Sequence, residues 1–455
     1  MSTVPPDGLG DAMFSTPEMT RLFSARAFVE RMLAFEAALA RAEARAGIIP
    51  SGAADAIAAR CCADLIDLPA LFHESAAAAT PAVPLVRMLT ALVDGEAKGY
   101  VHWGATSQDV TDTAMMLQMR EGLQLLAAGL LAAGDACAVL AAEHRGTMMA
   151  GRTFLQQAVP LPFGLKAARW LGMVARAADR LRAARDAAVV LQFGGAAGTL
   201  ASLGRRGLEV AALLAGEVGL PEARVPWHAE RDRISEIAAA VGITAGSMAK
   251  IASDLVLLSQ TEVGEITPSA AGRSTAMPHK RNPVQATQAL AAARLAGAAS
   301  AILLGGMAHE HERAAGGLQA EWQAVPDLFR YTAGAVRWVG AALERVDVHP
   351  QRMRANLEQS GGSVMAEALA MALAENVGRA EAYRIVDEVV AEAARRGTRL
   401  SEAAAADARI RAALPGERLD RALDPEAYRG SSDAFIDRAL DDYRHVRASF
   451  GPAAP

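Results

Sequence analysis

The chain has 455 residues, of which 52% are hydrophobic and 21% charged, with a net charge of −5. That composition excludes a globally disordered chain, and the mild acidity gives no basic footprint for nucleic acid. At roughly 150 residues per domain the length allows about three domains, and the scarcity of aromatics (5%) beside long runs of alanine and leucine predicts an all-α architecture.

Positions Phe28, Met32, Phe35, Leu39, Ala42 and Ala46 step by three or four and predict an amphipathic helix over 25–46, ended by Gly47 and Pro50. The segment 102–113, HWGATSQDVTDT, follows. Thr106 or Ser107 can cap a helix whose first turn carries Asp109 and Asp112; that helix runs to about residue 145, its periodicity broken only near Gly134. The stretch GTMMAGRTFLQQAVPLPFG reads as a loop, leading into a helix over about 165–190 and then the glycine-rich QFGGAAGTLASLG, whose glycines suit close backbone packing. Further helices are predicted over about 234–260 and from near Pro283. The uncharged stretch 295–308 is too short for the roughly 20 residues that span a bilayer and reads as a buried helix, so no membrane partner is expected. After residue 360 the helices shorten around Gly378.

Cys61, Cys62 and Cys137 are an odd number with one vicinal pair, which is no disulfide framework and fits a reducing cytoplasm. The start MSTVPPDGLGDAMF lacks the charged and apolar blocks of a secretory signal, so that route of export is not expected. In HEHERAAGGLQAEW, His309 and His311 stand two apart and share no helical face, and no HExxH is present, so no metal site is predicted. GGAAG at 194–198 fails the dinucleotide fingerprint; no cofactor is expected.

Only four of the 46 basic residues are lysines, and one of them, Lys280, lies in RSTAMPHKRNP (273–283), which combines two hydroxyls, a lysine and a helix start. Asn282 as cap and Pro283 as first helical residue would leave free N–H groups that, with Lys280, suit a carboxylate or an enolate-like dianion; a plain capped helix with a solvated basic turn would look the same. Thr106 and Ser107 offer a second such terminus, or simply a capping turn. Arg152, Thr153 and Gln156 in GRTFLQQA suit a planar carboxylate, with a structural salt bridge as the equal alternative for Arg152.

These segments resemble the fumarase/aspartase superfamily, whose signature SSxMPxKxNP stands here as Ser274 to Pro283, with Thr275 for the second serine and Arg273 where glycine is usual. HWGATSQDVTDT and GRTFLQQAVPLPFG are similar to the other two superfamily segments, in the right order. Within the superfamily, MLAFEAALARAEARAGIIP, ATPAVPLVRML, FGGAAGTLASLG, PWHAERDR and HERAAGGLQAEW look like the cycloisomerases that lactonize 3-carboxy-cis,cis-muconate in protocatechuate breakdown. Adenylosuccinate lyases are the nearest rival. Phe154 separates the two: lyases that release an amine carry a histidine at this place as general acid, whereas a carboxylate, with an unperturbed pKa near 4, needs no such acid.

The resemblance implies three domains (1–110, 111–360 with the central long-helix bundle, 361–455) and a homotetramer whose sites are shared between subunits. It makes Ser274 the group that moves the carbon-bound proton, and Lys280 and Asn282 the stabilisers of the dianion. His102, Thr106, Ser107, Arg152, Thr153, Gln156, Thr275, Met277 and Arg313 would hold a small polycarboxylate substrate. His102 is read equally as a substrate-orienting residue or as packing beside Trp103, and His228 as structural.

Overall fold

The stripe from Phe28 to Ala46 folds as the Ala25–Arg45 helix, with Ser24 accepting from the Ala27 N–H at its start and with Met32, Phe35, Leu39 and Ala42 buried along one side. This is a computed structural model, and it describes residues 8–267, 272–273 and 276–451. The architecture is that of an all-α protein. Its long helices are Ser107–Glu143, Phe163–Ala188, Asp232–Leu258 and Val284–Gly305, close to the spans and starts predicted from the sequence, and Gly317–Glu344, which the sequence reading does not predict.

The chain divides into two units. The first comprises Met1–Leu130, Ala177–Ala249 and Gln288–Trp338; the second comprises Leu131–Arg176, Lys250–Thr287 and Val339–Pro455. In the first unit, Phe23 and Phe329 stack 5.0 Å apart, and Gly122 lies where a Cβ would stand 2.6 Å from the Phe329 ring. In the second, the weak point at Gly134 is no break: the helix runs through it, and the glycine makes room for the Tyr443 ring, 2.5 Å from where a Cβ would stand. The Tyr443 hydroxyl lies within hydrogen-bond distance, 2.6 Å, of both the Leu131 carbonyl and Asp135 Oδ1. The shorter helices around Gly378, which has φ +80°, enclose a core of their own that includes Leu369, Leu373, Ile385, Val389, Leu400 and Ile410.

Two expectations are corrected. The stretch taken as a loop contains an antiparallel hairpin, Met148–Thr153 with Gln156–Pro162, interrupted by an irregularity between Ala150 and Arg152. Gly151, Pro160 and Pro162 hide the strands by breaking the alternation. The apolar stretch after residue 295 is a helix, but it is not simply buried: Leu295, Ile302 and Leu304 are all exposed. Ser107–Glu143, Asp232–Leu258 and Val284–Gly305 are each long and apolar enough to cross a bilayer once one or two charges are tolerated, and about half or less of each apolar window is buried within the chain.

Candidate active site

In the first unit the signature around Thr106 is built by Asp109. Its N–H donates to the Thr106 carbonyl (3.0 Å), and its Oδ2 accepts from the Thr106 N–H (3.0 Å), closing a reciprocal cap at the start of the Ser107–Glu143 helix. The capping alternative for Thr106 therefore holds in its backbone. Asp109 is fully buried and also gathers the glycine-rich loop: Gly194 and Gly195 donate to its two oxygens (3.0 and 2.9 Å), and His228 Nε2 lies 2.8 Å from Oδ1. His228, 4% exposed, is thus a strut of this loop, as its structural reading expects. The glycines are packed as predicted, since a Cβ at Gly194 would meet His228 and Pro226 at 2.7 Å.

Below this lies a buried ionic layer. Arg231, 1% exposed, reaches Asp112 through both terminal nitrogens (2.7 and 3.0 Å) and Glu321 through Nε (2.9 Å), and it stacks on the Trp227 ring. Burial alone would push its guanidinium down, and the two carboxylates outweigh that and raise it. Arg313 is exposed and donates to the Ala196 carbonyl of the glycine-rich loop at 3.1 Å, so it stands beside the Thr106 segment's neighbour. His309 is buried against Glu321, while His311 is exposed with φ +48°.

His102 is paired with a buried carboxylate. Trp103 stacks with Tyr100, and His102 Nδ1 lies 2.6 Å from Oε1 of the buried Glu36. Seven residues along the same helix stands Glu43, fully buried, whose carboxyl is pushed up to about 9 by burial and by the charge of Glu36. The sequence reading missed Glu36 and Glu43. Their signal was available: two carboxylates fall within the apolar stripe that also holds Met32, Phe35 and Leu39.

In the second unit, Arg152 donates through Nη1 (2.9 Å) and Nη2 (2.7 Å) to the two oxygens of Glu265, which is itself fully buried and accepts from Asn356 Nδ2 (2.9 Å). Of the two readings of Arg152, the structure contains the salt bridge, and both terminal nitrogens are engaged by it. Thr153 and Gln156 pair across the hairpin tip and are exposed. Between them Phe154 is 100% and Leu155 76% exposed, with φ of +51° and +64°. Two consecutive left-handed residues make the two-residue turn that normally favours Asn-Gly, so this tip is strained.

Ser274 and Thr275 lie outside the described residues. Met277 and Lys280 are exposed, and the Lys280 N–H donates to the Met277 carbonyl (3.1 Å) in a tight turn. Asn282 is not the helix cap: it pairs with Gly272 in a short antiparallel ladder, and Pro283 provides the first carbonyl of the helix, accepting from Thr287 N–H (2.9 Å). The start signal is right in kind and displaced by one residue, because the ladder claims Asn282.

The three motif segments thus sit with Thr106, Ser107 and His102 in the first unit and with Arg152, Thr153, Gln156, Met277, Lys280 and Asn282 in the second. A family model described as "Lyase" matches residues 10–297, and one described as "Adenylosuccinate lyase C-terminus" matches 362–439. The chain belongs to the lyase family of the fumarase/aspartase superfamily. A curated superfamily relative, 3-carboxy-cis,cis-muconate cycloisomerase of Bradyrhizobium diazoefficiens, is 46% identical over 94% of this chain and 96% of its own. The solved structure of 3-carboxy-cis,cis-muconate lactonizing enzyme from Pseudomonas putida superposes with a TM-score of 0.91 at 41% identity, covering 97% of this chain and all of the other. Nitrosuccinate lyase of Streptomyces davaonensis is 42% identical over 91% of this chain and 90% of its own.

Proposed function

We propose that this chain is a cofactor-independent cycloisomerase that converts 3-carboxy-cis,cis-muconate to its carboxymuconolactone. The full-length likeness to enzymes of that name favours it over the adenylosuccinate lyase alternative. The observation that carries the choice is the hairpin tip. Thr153, Phe154, Leu155 and Gln156 include no ionisable group, so the position that would protonate a departing nitrogen has nothing to do it with. A carboxylate nucleophile needs no such acid.

In the proposed reaction a carboxylate oxygen adds to the alkene carbon. The π electrons move onto the neighbouring carboxylate to give an enolate-like dianion, and the carbon between takes a proton from Ser274. One C–O and one C–H bond form, the C=C π bond and the Ser274 O–H bond are lost, and the serine alkoxide regains its proton from water, so each lactone takes up one solvent proton and no other co-reactant. Lys280, Asn282 and the first-turn N–H groups of the Val284–Gly305 helix, which no intrahelical bond can use, are the proposed stabilisers of the dianion. Thr106, Ser107, Thr153, Gln156, Thr275, Met277 and Arg313 are proposed to hold the substrate, with Arg152 acting from within its Glu265 pair.

The same reading assigns a homotetramer with sites shared between copies, the domain division 1–110, 111–360 and 361–455, a cytoplasmic location and a role in protocatechuate breakdown. The half-exposed apolar flanks at Leu125, Val139, Ile243, Leu257, Ile302 and Leu304 support burial against further copies of the chain over a membrane role. The separate core around Leu369 and Ile385 supports the C-terminal division. Turnover in deuterated water tests the chemistry: one carbon-bound deuterium per lactone is expected, and a product with none, or with fumarate, overturns it.

A further inference from the structure

Three features fix the ring of His102. Its Nδ1 lies 2.6 Å from Glu36 Oε1, and the side chains are 17% and 1% exposed. The backbone of His102 is held at φ +59°, a left-handed conformation that disfavours a non-glycine residue. Local preference therefore does not set where this ring sits; the surroundings do. It also stands four residues before Thr106, in the segment that opens the Ser107–Glu143 helix.

With Nδ1 bonded to a carboxylate, the ring has one nitrogen left. In neutral imidazole that Nε2 is an acceptor and repels a substrate carboxylate; in the imidazolium it is a donor. We infer that Glu36 is a positioning residue of the active site: it holds His102 through Nδ1 as an imidazolium whose Nε2–H binds a carboxylate of the substrate. This rests on the polycarboxylate reading above and gives His102 a role within it.

The surroundings agree. Burial pushes the His102 imidazolium down, but the charge and hydrogen bond of Glu36, with Asp109 from the neighbouring helix, overcome it and raise His102 above its ordinary value. The other ionisable groups facing Glu36 are Glu43 and the Cys61 thiol. Burial and the charge of Glu36 push these up to about 9 and about 12, with Arg41 opposing at Cys61. The two groups beside Glu36 are thus held neutral at physiological pH, which leaves its carboxyl facing His102 with no cation competing for that contact in Glu43 or Cys61.

The test uses the full-length protein with histidine ring carbons labelled for NMR, His102→Gln to assign the resonance, and tricarballylate as a substrate-like tricarboxylate. The wild-type His102 resonance is expected to titrate above 6.5, the ordinary histidine value. Glu36→Gln, which keeps the shape and an acceptor but removes the charge, is expected to bring it below that value. It should also weaken tricarballylate about tenfold at pH 7.5 and move the loss of binding to lower pH. A wild-type His102 titrating at or below 6.5 overturns the inference, and so does a Glu36→Gln protein whose binding keeps the wild-type pH dependence. Neither readout requires turnover, so they stand apart from failure of the carboxymuconate assignment.

Discussion

Arg152 and Glu265 face each other as a planar fork on a carboxylate, 2.7 and 2.9 Å at the two prongs, with Glu265 wholly removed from solvent. The pair ties the hairpin to the segment just ahead of the Ile266–Thr267 strand, and Asn356 adds a third hydrogen bond to the same carboxylate. Arg152→Met leaves that carboxylate buried without its counter-charge, and the expected loss is about 3 kcal/mol of stability by denaturant titration. Glu265→Gln with Arg152→Met together should recover more than half of it, because no unpaired charge then remains.

The hairpin tip gives the opposite sign. Phe154 and Leu155 hold positive φ with fully and largely exposed side chains, so Phe154→Asn with Leu155→Gly should stabilise the isolated fold by about 1–2 kcal/mol. We read a strained tip that exposes a phenyl ring as kept for a contact outside this chain. We expect the double variant to lose at least tenfold in kcat/KM while its melting temperature rises or holds.

Glu43 makes stability depend on pH. Its carboxyl is raised from 4.5 to about 9 in the fold, so the folded state retains a proton that the unfolded chain releases. Stability from this group is complete below 4.5 and declines as pH rises to about 9. Glu43→Gln should therefore stabilise the protein at pH 8 by on the order of 3 kcal/mol and gain little at pH 5. Urea titrations at the two pH values measure the difference, and equal gains would contradict it.

The helices were legible because burial of one face imposes a 3.6-residue stripe: 25–46 was read and Ala25–Arg45 is observed, and the glycine at 134 was visible before its cause, Tyr443, was. The hairpin was not legible, since two prolines and a glycine break its alternation and Phe-Leu replaces the usual turn pair. At the site, the motif residues could be named from the signature, but their partners could not. Glu36 lies 66 residues from His102 and Glu265 lies 113 from Arg152, separations over which a sequence pattern carries no geometry.

Ser274 is the proposed proton donor. Ser274→Ala should lower kcat at least a hundredfold with KM within about threefold, since a group that acts only in the transition state contributes little to ground-state binding. Lys280→Met should lower kcat as well, and a Ser274→Ala protein with full activity would remove the serine from the mechanism.

The most direct test of the central assignment is absorbance of 3-carboxy-cis,cis-muconate over time with the purified protein and no added cofactor, beside parallel assays with adenylosuccinate and nitrosuccinate. The account predicts that the conjugated diene signal disappears while the other two substrates stay intact. Release of fumarate from adenylosuccinate or nitrosuccinate, with the muconate untouched, would contradict it and would mean that a residue other than the one at position 154 supplies the general acid.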